Sequence, residues 1–320
     1  MKVYFRVIKL GLILGVLNGI FLIAMPRTES QSLQVELVEA VLPVEIYTEP
    51  SRAEMVTKAL VQAYPQRVLK AEYRHTADGE YDWAVLIRDR WFYYADGRML
   101  PEEALNRAHL YSPIAFYNNY PVDLQPWTAP SPEEAARLEN FAEQRATVMP
   151  ARAPYFFNTL YRAHDRQESY DRVKTLRFLG TQIIVHYSIL EALSLVEERI
   201  LAASRTDPQV RNWIANIESM TGWFWRNIVG SASRSFHSYG VAIDILARST
   251  GGRAVFWQWA GPNWFNITHE QRFHPPDAVI KAFESYGFVW GGKWLFFDTM
   301  HFEYRPEVFI LNGIELSTLR

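Results

Sequence analysis

The sequence predicts an α+β fold, on three observations. A capped helix over 51–64 is followed by three short strand signals. A long, densely apolar helical segment spans 169–203. In the last third, a turn-like run leads into an apolar strand at 235–245, and a second strand signal, W-G-G-x-W, opens the run 290–304. The expected architecture is a small antiparallel sheet with flanking helices, preceded by a helical segment and a small α+β amino-terminal domain. The expected divisions are 1–27, 28–150 and 151–320.

Composition bounds the chemistry. The chain has 320 residues, 33 Lys plus Arg against 35 Asp plus Glu, and a net charge of −2, which argues against a protein that holds nucleic acid by bulk charge. With 49% hydrophobic and 15% aromatic residues it has ample apolar surface for real cores. It has no cysteine, so disulfides, thiol nucleophiles and cysteine-ligated metal are excluded together. Any metal must sit on His, Asp or Glu, and there are eight histidines.

Lys2, Arg6 and Lys9 precede an uncharged apolar stretch over 10–25, the layout of an export signal or a membrane anchor. Sixteen residues cover about 24 Å, a little short of a bilayer span, and no small-x-small cleavage site is obvious around Ala24. The segment is expected to hold the chain at the membrane with its body outside the cytoplasm. Residues 35–47 read as extended. Ser51 and Glu54 form a capping box for a helix whose Met55, Val56, Ala59, Leu60 and Ala63 share one face, and Pro65 ends it. Strands are expected over 68–73, 83–87 and 91–94, the last running into an Asp96-Gly97 turn. The proline-rich stretch 120–154 reads as a connector. The apolar positions of 169–203 predict one long buried helix containing His186. Asp207-Pro208 starts another helix, ending near Gly222. A third is expected from Pro276 to Gly287.

Chemistry concentrates between Trp223 and Tyr304. Ser235-Phe-His237-Ser-Tyr-Gly240-Val-Ala242-Ile-Asp244 places an imidazole and a carboxylate seven residues apart. Asp298-Thr-Met-His301-Phe-Glu303 adds a second imidazole and two carboxylates. A catalytic zinc site wants three protein ligands and one open position, and His237, Asp244 and His301 supply that set. Asp244 lies in an apolar run, where a carboxylate is costly unless paired or bound to a cation. Gly240 removes a Cβ where the backbone turns, and Ala242 keeps the approach narrow but open. His75 and His109 are isolated. His269 and His274 are five apart, about 140° out of phase for a shared helical face, so they do not form a zincin pair. On a strand, Glu303 shares the face of His301, whereas Asp298 is out of phase unless a bend intervenes. The residues alone therefore leave open which carboxylate is the base.

A bare H-x6-D spacing is common by chance, but the ordered set S-x-H-x-x-G-x-A-x-D, W-G-G-x-W and D-x-x-H-F-E is far rarer. With it, residues 220–305 resemble the zinc D-alanyl-D-alanine carboxypeptidases and L-alanyl-D-glutamate endopeptidases of bacterial peptidoglycan, which share the Hedgehog-type zinc fold. The resemblance implies zinc on His237, Asp244 and His301, Asp298 as the general base, and Arg226 as the cation that meets the substrate carboxylate or scissile carbonyl. Ser235 and Glu303 would then be substrate-contacting or ligand-orienting groups. Arg234 and Arg253 are further candidates for a carboxylate clamp. The resemblance implies a peptidoglycan stem peptide as substrate, with D,D-carboxypeptidase activity foremost and endopeptidase activity as the other outcome. The alternative is a non-catalytic cell-wall- or partner-binding module that keeps the zinc fold.

Overall fold

Helix α1 (Arg52–Ala63) forms where its capping signal lies: the Ser51 hydroxyl accepts the Glu54 N–H at 3.2 Å, and Val56, Ala59 and Leu60 are buried on one face. The computed structural model describes residues 51–116, 120–148 and 150–317, so the apolar segment 10–25 and the strand expected at 35–47 lie outside the described residues. Among the described residues, no helix is long and apolar enough to cross a membrane. The α+β class holds throughout them.

After α1 come β1 (Val68–His75), β2 (Tyr81–Ile87), β3 (Arg90–Tyr93) and β4 (Leu100–Pro101), an antiparallel meander in that spatial order. Asp96 and Gly97 both have positive φ in the turn after β3. A 3-10 helix covers Glu102–Leu110. The proline-rich stretch holds more structure than a connector: α2 (Pro132–Val148) begins with Pro132 at its first position, and Ser131 and Glu134 cap it reciprocally. Helix α3 (Tyr155–Tyr161) follows.

The long helix expected over 169–203 is not one element. It divides into the end of α4 (Arg166–Tyr170), a hairpin of β5 (Val173–Phe178) and β6 (Thr181–His186), and α5 (Leu190–Ser204). Leu179 and Gly180, with φ of 47° and 84°, close the hairpin as a two-residue turn with the twist that strands prefer. His186 therefore ends a strand. The next helix, α6 (Pro208–Ala215), stops before Gly222 because β7 (Ile217–Thr221) begins there.

The sheet that carries the site has the order β7-β8-β10-β9, all antiparallel, with β8 (Ala242–Ala247), β9 (Phe288–Trp290) and β10 (His301–Tyr304). Helix α7 (Asp277–Ser285) covers it through Val279, Ile280 and Phe283, and Phe283 stacks on Phe302 at 3.9 Å. The chain then enters α8 (Pro306–Leu311), which packs on α1.

The division expected near residue 150 coincides with no break in the core. Val56 and Leu60 of α1, Val85 and Phe92 of the meander, and Phe156 and Phe157 of α3 belong to the same buried cluster as Val241, Ile243, Phe283 and Phe302. Each such side chain contributes about 1.5–3 kcal/mol by leaving water, so the two parts stabilise each other.

Candidate metal centre and cleft

The centre is built on adjacent strands. Asp244 of β8 sits directly opposite His301 of β10 in the antiparallel register, which brings Asp244 Oδ1 to 2.8 Å from His301 Nδ1. His237 comes from the 3-10 turn Phe236–Tyr239 just before β8. The Ser235 hydroxyl accepts the His237 N–H at 3.3 Å, and Gly240, at φ 69°, ends the turn. A Cβ on Gly240 would lie 2.8 Å from the backbone nitrogen of His186, so the turn can seat against β6 only with glycine there.

The proton positions follow from the partners. His237 Nδ1–H donates to the Gly222 carbonyl at 2.6 Å, which leaves Nε2 with its lone pair. That nitrogen is fully buried and has no hydrogen-bond partner, although Asp244 Oδ2 is only 3.1 Å away. With the proton on Nδ1, neither of these two atoms has one to give the other. A buried lone pair and a carboxylate oxygen set this close, both aimed at a common point, call for a cation between them. One ligand atom from each of His237, Asp244 and His301 lies within 4.8 Å of the others, so the three residues fit a metal ion.

Electrostatics agree. Burial works to raise the Asp244 pKa, but the His237 and His301 imidazoles outweigh it and hold the carboxyl well below the usual range. Burial works to lower the His301 pKa, but hydrogen bonds with Asp244 and Glu303 drive it well above the ordinary histidine value. Surroundings that pull a proton onto an imidazole equally favour a metal cation. Glu303 Oε2 takes the other face of that ring, 3.2 Å from Nε2, and stays ionised despite its burial because His301 and Arg305 hold its charge.

Asp298 lies beside this group. The phase difficulty is resolved by a turn: His301 N–H donates to the Asp298 carbonyl at 3.2 Å, and Asp298 N–H donates to Gly291 at 3.0 Å, so the chain bends before β10 begins. Burial, with the Asp244 charge adding to it against His301 and Arg226, pushes the Asp298 carboxyl up to about 7, and its buried Oδ1 has no hydrogen-bond partner. A carboxyl that titrates near neutrality at the edge of a cavity suits proton transfer.

Asp244, Asp298, His301, Glu303, Ser235 and Arg226 all line a cavity of about 790 Å³. Arg234 and Arg253 do not. Arg234 is spent on Asn158 and the Ala163 carbonyl and stacks on Trp225, and Arg253 packs over Phe273. Phe256, Trp257 and Trp259 form one wall, tied to the site by an isolated bridge between Phe256 and Asp298. Helix α2 braces that wall, with Phe141 and Phe296 at 5.4 Å. Opposite it, Ala115, Tyr120, Pro121 and Arg152 reach the cavity from the first half of the chain, residues that no motif in the sequence singles out.

Residues 229–304 match the D-alanyl-D-alanine carboxypeptidase family. The carboxypeptidase-family segment runs from the approach to the His237 turn to the end of β10, so it contains the metal triad and Asp298 and leaves Arg226 three residues outside. A metal-capable His/Asp/His group inside such a segment makes this a peptidase domain of the metal-dependent kind. A second family, described only as a domain of unknown function, matches residues 56–116. No solved structure matches the chain.

Proposed function

We propose that the protein is a zinc peptidase of the bacterial cell envelope that hydrolyses peptide bonds in peptidoglycan stem peptides, with D,D-carboxypeptidase activity. The observation that carries this reading is the buried His237 Nε2, without a hydrogen-bond partner and set against Asp244 and His301, which line a cavity together with Asp298 and Arg226. His237 Nε2, Asp244 and His301 Nδ1 would hold zinc. When bound there, zinc would supply Lewis acidity and a lowered pKa for water.

The chain's own residues do the rest. Asp298 accepts a proton from the attacking water and returns it to the leaving amine, roles that a carboxyl poised near 7 performs in both directions at neutral pH. The Arg226 guanidinium, on the cavity wall and within electrostatic reach of Asp298, meets negative charge on the substrate. Glu303 keeps the Nε2 proton on His301, which leaves Nδ1 as the donor atom. The apolar segment 10–25 holds the protein at the cytoplasmic membrane with this cleft outside the cytoplasm.

The test is digestion of purified stem peptides by the protein, with and without a chelator, read by mass spectrometry. Chelator-sensitive loss of a terminal D-alanine is the expected result. An internal cut would replace carboxypeptidase with endopeptidase, and stoichiometric zinc without any product would favour a binding module.

A further inference from the structure

The metal centre does not end at Glu303. Behind it, Glu303 Oε1 pairs with Arg305 Nη1 at 3.3 Å, Arg305 Nε donates to Glu307 Oε1 at 2.5 Å, and the Tyr64 hydroxyl donates to Glu307 Oε2 at 2.7 Å. Arg305 Nη2 also donates to the Ala115 carbonyl at 2.8 Å. Every member is buried: Glu303 is 4% exposed, Arg305 1%, Glu307 0% and Tyr64 4%. The guanidinium sits among the rings of Phe236, Phe157 and Phe116, with centroids at 5.1, 5.6 and 5.9 Å. An unbroken line of charge-assisted contacts therefore runs from the imidazole of His301 to the carboxyl end of α1.

We propose that Arg305, Glu307 and Tyr64 are positioning residues for the metal centre, through which the region 56–116 fixes the orientation of Glu303 and hence of the metal-ligating imidazole of His301. Glu303 alone could rotate away from His301 Nε2. With its second oxygen held by Arg305, it cannot do so without breaking a buried ion pair. Arg305 is in turn immobilised by Glu307 on one side and the Ala115 carbonyl on the other. Tyr64, Ala115 and Phe116 all fall in the stretch that matches the domain of unknown function. That stretch is thus an integral part of the metal centre's frame. Arg305 lies between the two carboxylates, so neither Glu303 nor Glu307 is buried without a cationic partner, and Tyr64 donates to the second of them.

This inference rests on the zinc reading, and the experiment separates the two. Zinc affinity of the full chain is measured by competition with a chromogenic chelator for the parental protein and for Glu303→Gln, Glu307→Gln, Tyr64→Phe and the double variant Glu303→Gln/Glu307→Gln. Thermal unfolding of each metal-free protein is recorded in parallel. Glu303→Gln is expected to weaken zinc binding about tenfold, Glu307→Gln about three- to tenfold and Tyr64→Phe about two- to fivefold. The double variant is expected to bind no more weakly than Glu303→Gln, because the effect of Glu307 passes through Glu303. A merely structural role would lower the melting temperature and leave zinc affinity at the parental value, which overturns the proposal, as would effects that simply add in the double variant. Should Glu307→Gln fail to fold, Tyr64→Phe decides, since it removes one hydroxyl and keeps the ring. A parental protein that binds no zinc would overturn the zinc reading itself.

Discussion

Gly222→Ala tests how tightly the first ligand is held. Gly222 touches the centre only through its carbonyl, which accepts His237 Nδ1–H at 2.6 Å and so reserves Nε2 for a metal. A Cβ at this position would stand 2.2 Å from the Ile184 carbonyl oxygen and 3.0 Å from Val185 Cγ1. Since real Cβ contacts essentially never fall below 3.0 Å, the backbone must retreat from β6 by about 0.8 Å. A shift of that size along the hydrogen bond lengthens it to about 3.4 Å, outside the range of a normal N–H···O contact. Two costs are expected. Overpacking against β6 lowers the stability of the metal-free protein by about 1–3 kcal/mol. Loss of the orienting hydrogen bond weakens zinc binding about 10- to 100-fold, equivalent to about 1.4–2.7 kcal/mol. Chelator competition measures the second and thermal unfolding of the metal-free protein the first. Parental zinc affinity in a destabilised Gly222→Ala protein would refute the role given to the Gly222 carbonyl, and an unchanged melting temperature would refute the steric argument.

Other outcomes are expected together. His237→Ala and His301→Ala proteins should lose stoichiometric zinc by elemental analysis, and retention would show the ligand set to be wrong. Asp298→Ala should keep its zinc and lose about 10²- to 10⁴-fold in turnover. Near-normal turnover in that variant would direct the search for the base to Glu303. His186 gives a pH signature of stability. Burial, aided by Arg67, pushes its pKa down to about 3 against the Tyr161 carbonyl, which accepts from Nε2, while the Ser188 N–H donates to the Nδ1 lone pair of the neutral ring. The unfolded chain binds this proton near pH 6.5 and the folded one does not. Stability is therefore whole above pH 6.5 and falls with pH below it by about 1.4 kcal/mol per unit. Denaturant titrations at pH 7.5 and 5.5 should show the parental protein losing about 1.4 kcal/mol more than His186→Gln, and equal losses would contradict the assignment.

Where chemistry and local signals coincide, the sequence is legible. The capping pair Ser51 and Glu54, the Asp96-Gly97 turn and the strand signals of the meander are local, and each element forms within a few residues of its expected place. The His237, Asp244 and His301 constellation is legible because an acid inside an apolar strand demands a partner. The segment 169–203 misleads because short apolar runs read equally well as helix or strand, and β5 and β6 are half-exposed hairpin strands with Lys174, Thr175 and Arg177 between the buried Val173 and Phe178. Its corrective signal is Leu179-Gly180 followed by the β-branched run Ile183, Ile184 and Val185. Ser131, Pro132 and Glu134 likewise announce α2 inside a stretch whose prolines suggest a connector. The pairing of Tyr64 with Glu307 has no local signal at all, because the two are 243 residues apart and only the folded chain joins them.

That separation also sets the order of events during synthesis. Helix α1 leaves the ribosome with Val56, Ala59 and Leu60 uncovered, and α8, against which it packs, is made only after both four-stranded sheets. Contacts spanning most of a chain are slow to close and leave apolar surface open to chaperones and proteases meanwhile. A product truncated before Pro306 keeps every metal ligand in its sequence, yet it lacks the partner of Tyr64 and the helix that shields α1. A chain cut before Pro306 is therefore expected to expose the core face of α1 and to be more susceptible to proteolysis than one that carries α8.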